Sequence, residues 1–274
     1  MPYRNSITTF FDILGFKSIV AGKEPGYIQE VLGKLRSESE PNSDDRERLE
    51  INSIAFSDSI VRSVPLDSNS NQTFPQGLLF YELFQLAYIQ SFLIYEYGIF
   101  LRGAMTIADI SIHDGIVFGP ALVTAYELES KHAVYPRILV DSALFDAFEA
   151  NPKLLGASHH SPAQDLEYLN HYSVEDSDGH RYINYLSGTH LGEFDDVLNV
   201  VERHYARIKT AVSNANGTPC VIEKYRWCAR YHNLVVESWA DEYYDDLETD
   251  KEQYLLTDAD VPGLAGWKIP YITT

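Results

Sequence analysis

The stretch Ile7-Thr8-Thr9-Phe10-Phe11-Asp12-Ile13-Leu14-Gly15-Phe16 decides the fold. Its β-branched and aromatic residues predict a strand over residues 7–14, ended by Gly15 and Phe16. Asp12 is the anomaly. A lone carboxylate in an apolar strand is costly to bury unless a partner meets it. The plain alternative is a strand-end Asp that caps the following turn. A second carboxylate, Asp58, sits in Phe56-Ser57-Asp58-Ser59-Ile60-Val61, read as the tip of a strand pair over residues 51–64. Asp is common at such tips for turn reasons alone. If the first strand lies beside the hairpin, both carboxylates project from one end of the sheet. Two carboxylates that close need a cation between them or one raised pKa. Hard oxygen ligands suit Mg²⁺ or Mn²⁺ shared with substrate phosphates.

Working outward, apolar residues at helical spacing predict a helix over 27–35, and polar residues predict a loop over 37–48. A second polar loop spans 63–77. Residues 78–97 form a long helix, apolar on most sides and therefore largely buried. A strand follows over 100–108, with a turn region around His113-Asp114-Gly115. Gly119-Pro120 opens a helix to residue 131. A short strand over 137–140 and a short helix over 142–150 close the series. The order predicts an α+β domain over 1–150, with a mostly antiparallel sheet and helices on one face. The remainder, 151–274, is an α/β extension: strands over 168–186, helices over 196–213 and 220–239, and an acidic tail.

The chain has 274 residues, 45% hydrophobic and 13% aromatic, with a formal net charge of −19. A field of that sign repels nucleic acid and anionic membranes, so neither is expected as a partner. It also repels a triphosphate, so a phosphate site has to be rebuilt locally by metal ions or a few basic side chains. Cys220 and Cys228 form neither a disulfide framework nor a zinc pattern, and a reducing cytoplasm is expected. The opening Met1-Pro2-Tyr3-Arg4-Asn5 lacks the order of a signal peptide. No apolar run of about 18 residues predicts a membrane span.

Phe11-Asp12-Ile13-Leu14-Gly15-Phe16 followed by Phe56-Ser57-Asp58-Ser59-Ile60-Val61 resembles the two metal-binding segments of class III nucleotidyl cyclases. Gly119-Pro120-Ala121-Leu122-Val123-Thr124-Ala125-Tyr126-Glu127-Leu128-Glu129 resembles that family's interface helix. The resemblance covers roughly the first half of the chain. It implies a ferredoxin-like palm and two Mn²⁺ or Mg²⁺ ions held by Asp12 and Asp58, with the Ile13 carbonyl completing one shell. It also implies a homodimer with its sites at the interface. Backbone from Phe11 and Ile13 through Leu14, Gly15 and Phe16 would cradle the nucleotide phosphates.

The purine-reading positions depart from the family. Ile54 stands where a Lys or Glu is expected, and Val123 and Glu127 where an Asn and an Arg serve the transition state. Strand alternation puts Ile54 and Phe56 beside Asp58, narrowing the base site. Phe56 as simple core is the competing reading. The combination resembles the pyrimidine cyclases of bacterial Pycsar antiphage defence, as do Arg102-Gly103-Ala104 and Tyr135-Pro136-Arg137-Ile138. That resemblance implies a phosphorus–oxygen lyase, with UTP favoured over CTP. The alternatives are a cyclase homologue that binds nucleotide without turnover and a palm-type dinucleotide cyclase; the latter would want a Gly-Gly acidic hairpin. Arg102 is the candidate electrostatic stabiliser, or else a surface ion pair. Arg137 is a weaker candidate. Lys224 could reach the terminal phosphates, or it is a solvated helix lysine. His159, His160 and His232 are read as structural.

Overall fold

The structure, a computed structural model, describes residues 2–187, 197–239, 244 and 249–269. The chain divides into two compact units, Met1–Gln90 with Ile99–Asn184, and Ser91–Gly98 with Tyr185–Thr274. In the first unit the strands are β1 (Arg4–Ile13), β2 (Asn52–Phe56), β3 (Ser59–Pro65), β4 (Leu101–His113), β5 (Ile116–Phe118), β6 (Ile138–Val140), β7 (Ser173–Glu175) and β8 (Arg181–Ile183). They form one sheet of order β2-β3-β1-β4-β6-β8-β7, with β5 paired to β4. Every pairing is antiparallel except β4 with β6. The α+β class and the mostly antiparallel sheet expected from the sequence are both present.

Helices lie on both faces, not one. Facing residues of neighbouring strands share a side of a sheet. Ser6, Thr8, Phe10 and Asp12 of β1 therefore share a face with Val61 of β3 and Ala104 of β4. On that face, helix α6 (Pro120–His132) packs Ala121 and Ala125 against Phe10, Val61 and Ile110. On the other face stand Ile7, Phe11 and Ile13, all buried. There Arg62 of β3 donates to both oxygens of Glu82 at 2.9 Å and also to the Ser39 carbonyl. Glu82 lies on helix α5 (Leu78–Tyr97), and Ser39 ends helix α2 (Pro25–Ser39). By length and composition α5 could cross a membrane, yet Leu79, Leu83, Leu86 and Ile89 are fully buried in the fold. It is a core helix.

Four local expectations change. Residues 37–48, read as loop, hold the end of α2 and most of helix α3 (Ser43–Leu49), capped by Asn42, which accepts from the Asp45 amide. Residues 63–77, read as a polar loop, contain helix α4 (Asn69–Thr73), capped by Ser68, whose hydroxyl oxygen accepts from the Asn71 amide. The turn region after residue 108 is a hairpin, because β4 runs on to His113 and returns as β5. Helix α9 (Pro162–Tyr172) replaces the start of the strands read over 168–186. Its capping box, Ser161 with Gln164, fixes the first turn. Strands β7 and β8 then join the main sheet through β6, so the first unit runs to Asn184 and not to residue 150.

In the second unit, helices α10 (Val197–Asn214) and α11 (Pro219–Ser238) pack together. A chain of hydrogen bonds crosses their buried interface. It links the Tyr185 hydroxyl to His204 Nε2 at 3.1 Å, His204 Nδ1 to His232 Nδ1 at 3.0 Å, and His232 Nε2 to the Tyr254 carbonyl at 2.7 Å. The carbonyl can only accept, so each neutral ring donates toward it in turn. The acidic tail at 240–248 lies outside the described residues except for Tyr244.

Candidate active site

Asp12 faces Ser59 on β3 and Arg102 on β4. Asp58 occupies the two-residue loop between Phe56 and its partner Ser59. Ser57 takes φ 55°, the left-handed backbone that a tight hairpin demands. Asp58 is therefore one residue from the register partner of Asp12, at the same end of the sheet. Ile54 pairs with Val61, and Phe56 with Ser59, which places both on the Asp12 face. Ile54 is half-buried, whereas Phe56 is 55% exposed.

Arg102 binds Asp12 with two prongs. Its Nε donates to Oδ1 at 3.0 Å and its Nη2 to Oδ2 at 3.2 Å. The same Nε lies 2.9 Å from Oε1 of Glu129 on α6. That oxygen is buried and accepts no hydrogen bond. Nε carries one hydrogen, and Asp12 receives it, so Glu129 is held by charge. Burial lowers the pKa of Arg102, but the hydrogen bond and charge of Asp12, then the charges of Glu129 and Asp58, leave it raised. The charge of Asp58 thus reaches the same guanidinium. Burial pushes the Glu129 carboxyl above the usual range, with Arg102 opposing and Asp12 adding to the rise.

Two carboxylates thus share one guanidinium, and a third, Asp58, stands at the same end of the sheet. That shortage of positive charge and the all-oxygen donor set fit a hard divalent ion. Among the described residues no three His, Cys, Asp or Glu side chains converge to hold a metal alone. Further ligands would come from backbone carbonyls such as that of Ile13, from water or from a bound anion.

The remaining expected residues differ in setting. Phe11 and Ile13 turn their side chains into the opposite core face, fully and nearly fully buried, so only their backbones border the site. Leu14 donates its amide to the Phe100 carbonyl at 2.9 Å. Gly15, at φ 76°, turns the chain into helix α1 (Phe16–Gly22), which has no side-chain cap. Gly103 allows β1 and β4 to meet closely, since a Cβ there would stand 2.5 Å from the Phe10 carbonyl oxygen and the Phe11 Cβ. Arg137 lies away from solvent. It is fully buried and bound to Asp176 at 2.6 Å and to Asp178. Both carboxylates come from the β7–β8 connection, so the guanidinium ties that loop to the sheet. Lys224 is half-buried on α11, in the second unit. Val123 and Glu127 are exposed on α6.

The sequence reading missed Glu129. Its signal is positional: it continues the Ala121–Ala125 stripe at four-residue spacing, where a sheet-facing apolar residue is expected.

No family model matches the chain. No curated protein matches it either. Among solved structures, a dimeric guanylyl cyclase domain of the RhoGC fusion protein from the aquatic fungus Blastocladiella emersonii aligns at 16% identity and a TM-score of 0.39, covering 55% of this chain and 86% of that one. The adenylyl cyclase CyaB from P. aeruginosa aligns at 16% identity and 0.36, covering 55% and 84%. A bacterial light-regulated adenylyl cyclase aligns at 17% identity and 0.33, covering 55% and 82%.

Proposed function

We propose that this chain is a metal-dependent nucleoside triphosphate cyclase whose substrate is a pyrimidine nucleotide, UTP before CTP. The observation that carries the reading is the joint placement of Asp12 and Asp58 at one end of the sheet, in a site short of positive charge. Asp12 and Asp58 would hold two Mn²⁺ or Mg²⁺ ions. Bound there, such ions lower the pKa of the ribose 3′-hydroxyl and neutralise the polyphosphate. The 3′-oxygen forms a bond to the α-phosphorus, the bond from that phosphorus to the β-phosphate oxygen breaks, and pyrophosphate leaves. The hydroxyl proton passes to water. Arg102 stands beside Asp12 as the cation for charge developing on the α-phosphate. Backbone from Phe11 to Phe16 would border the phosphates.

Ile54 and Phe56 support the choice of base. They put two apolar side chains on the Asp12 face, where purine-reading groups would need to be polar. A smaller base suits that narrowing. Phe56, Val123 and Tyr126, between 55% and 57% exposed, support a second copy covering this region in a homodimer. A role as a second-messenger source in antiphage defence rests on the resemblance to the Pycsar cyclases.

A second reading, nucleotide binding without turnover, draws on one observation: Arg102 is already committed to Asp12. The deciding experiment incubates the full chain with each of the four ribonucleoside triphosphates and Mn²⁺ and separates products by mass. A cyclic monophosphate from UTP or CTP is expected. Turnover of ATP alone would sink the base assignment. Metal-dependent binding with no turnover would establish the second reading.

A further inference from the structure

Glu129 does nothing for the apolar packing of α6. Ala121 and Ala125, two turns and one turn before it, are fully buried against Phe10 and Val61. Glu129 continues that buried stripe as a carboxylate, 3% exposed, with one oxygen lacking any hydrogen bond. A buried carboxylate is retained at such a position only beside a counter-charge. The cation beside it is Arg102, whose Nε is 2.9 Å from Glu129 and 3.0 Å from Asp12.

We propose that Glu129 is a positioning residue that shares Arg102 with Asp12. Arg102 neutralises Asp12 in the metal-free site, withdraws when a divalent ion is bound at Asp12, and stays anchored by Glu129 facing the α-phosphate. The proposal rests on the reading of Asp12 and Asp58 as metal ligands. Its geometry is already in place. One N–H lies within ion-pair distance of two carboxylates, so a small rotation moves the hydrogen from Asp12 to the empty oxygen of Glu129. Without Glu129, a guanidinium repelled by the metal would have no carboxylate to receive it on that side. Without Arg102, Asp12 and Glu129 would repel each other across the site.

The test is a double-mutant cycle on Mn²⁺ affinity, measured on the full chain without nucleotide by calorimetry and by electron paramagnetic resonance of unbound Mn²⁺. Arg102→Met removes the competitor, so Mn²⁺ binds about tenfold tighter. Glu129→Gln leaves Arg102 with Asp12 alone, so Mn²⁺ binds about fivefold weaker. In the Arg102→Met background, Glu129→Gln removes only its through-space charge, so it weakens Mn²⁺ binding by clearly less than in the wild-type background. Equal effects of Glu129→Gln in both backgrounds would mean simple through-space charge and would overturn the sharing. Should Arg102→Met fail to fold, the wild-type arginine Nε–H spectrum during Mg²⁺ titration decides. The Arg102 signal, identified by its loss in Arg102→Lys, is expected to move. Binding without that movement overturns the proposal. If the wild-type chain binds neither ion, the metal reading falls with it. If it binds them in a manner sensitive to Asp58→Asn but the cycle is flat, only the sharing falls.

Discussion

Asp12 and Arg102 are register partners across β1 and β4, and their two-pronged bond ties one candidate metal carboxylate into the sheet. Asp58 occupies a hairpin loop instead. The two carboxylates should therefore differ in stability while agreeing in activity. Asp12→Ala is expected to cost about 1–3 kcal/mol, because the half-buried guanidinium loses its two-pronged partner and keeps only Glu129. Asp58→Ala is expected to stay within about 0.5 kcal/mol of wild type. Both should abolish cyclic product. Urea denaturation with a product assay checks this; equal destabilisation by the two substitutions would refute the asymmetry.

Gly103→Ala tests the strand contact beneath the site. The added methyl would stand 2.5 Å from the Phe10 carbonyl oxygen and the Phe11 Cβ, both on the neighbouring strand. The strands must part, at about 1–3 kcal/mol. Because Asp12 and Arg102 are one step along the same ladder, activity should fall further than stability alone explains. An alanine variant with wild-type melting would show that the contact is looser than described.

The Arg62–Glu82 pair is buried to 1% exposure on each side. Removing one partner leaves an uncompensated buried charge. Glu82→Gln or Arg62→Met should each cost about 3–5 kcal/mol, whereas Arg62→Met with Glu82→Met should cost much less than their sum. Additive losses in chemical denaturation would contradict this account.

Acid should weaken the second unit first. Burial holds His204 well below its usual pKa, with His232 adding to the shift, and burial lowers His232 to about 4. The unfolded chain takes up protons near pH 6.5 that the folded one refuses. Stability from this pair is therefore complete above about pH 6.5 and is lost as pH falls toward 4. The three tryptophans, Trp227, Trp239 and Trp267, all belong to this unit, so their emission reports it selectively. The urea midpoint followed by that emission should drop between pH 7 and 5, above the range where most carboxylates titrate. An unchanged midpoint would mean that the histidine chain carries no such linkage.

What the sequence made legible was local and periodic. The Asp12 strand, the hairpin around Asp58, the buried helix at Leu78–Tyr97 and the helix at Ser142–Ala150 follow from spacing within a few residues. Helix α3 escaped because its residues are nearly all polar and its stability comes from the Asn42 cap. Helix α9 could have been found from Ser161-Pro162-Ala163-Gln164, a capping signature outweighed by the aromatic residues that follow. The partners of Arg137 were illegible for a deeper reason. A basic residue does not reveal whether its counter-charge is a ligand or the chain itself, and its partner Asp176 lies 39 positions away. Glu129 was missed because α6 was matched to a pattern position by position, when its burial follows from which face of the helix meets the sheet.

The sheet order has a consequence for self-association. Its longest strand, β4 with 13 residues, is interior, whereas the outer strands β2 and β7 have five and three. Short margins present few unpaired amides and carbonyls, which discourages the addition of foreign strands and fibril-like stacking. A second copy joining this unit would have to lie across a side of the sheet rather than extend it, and the two partners could then part without tearing any ladder.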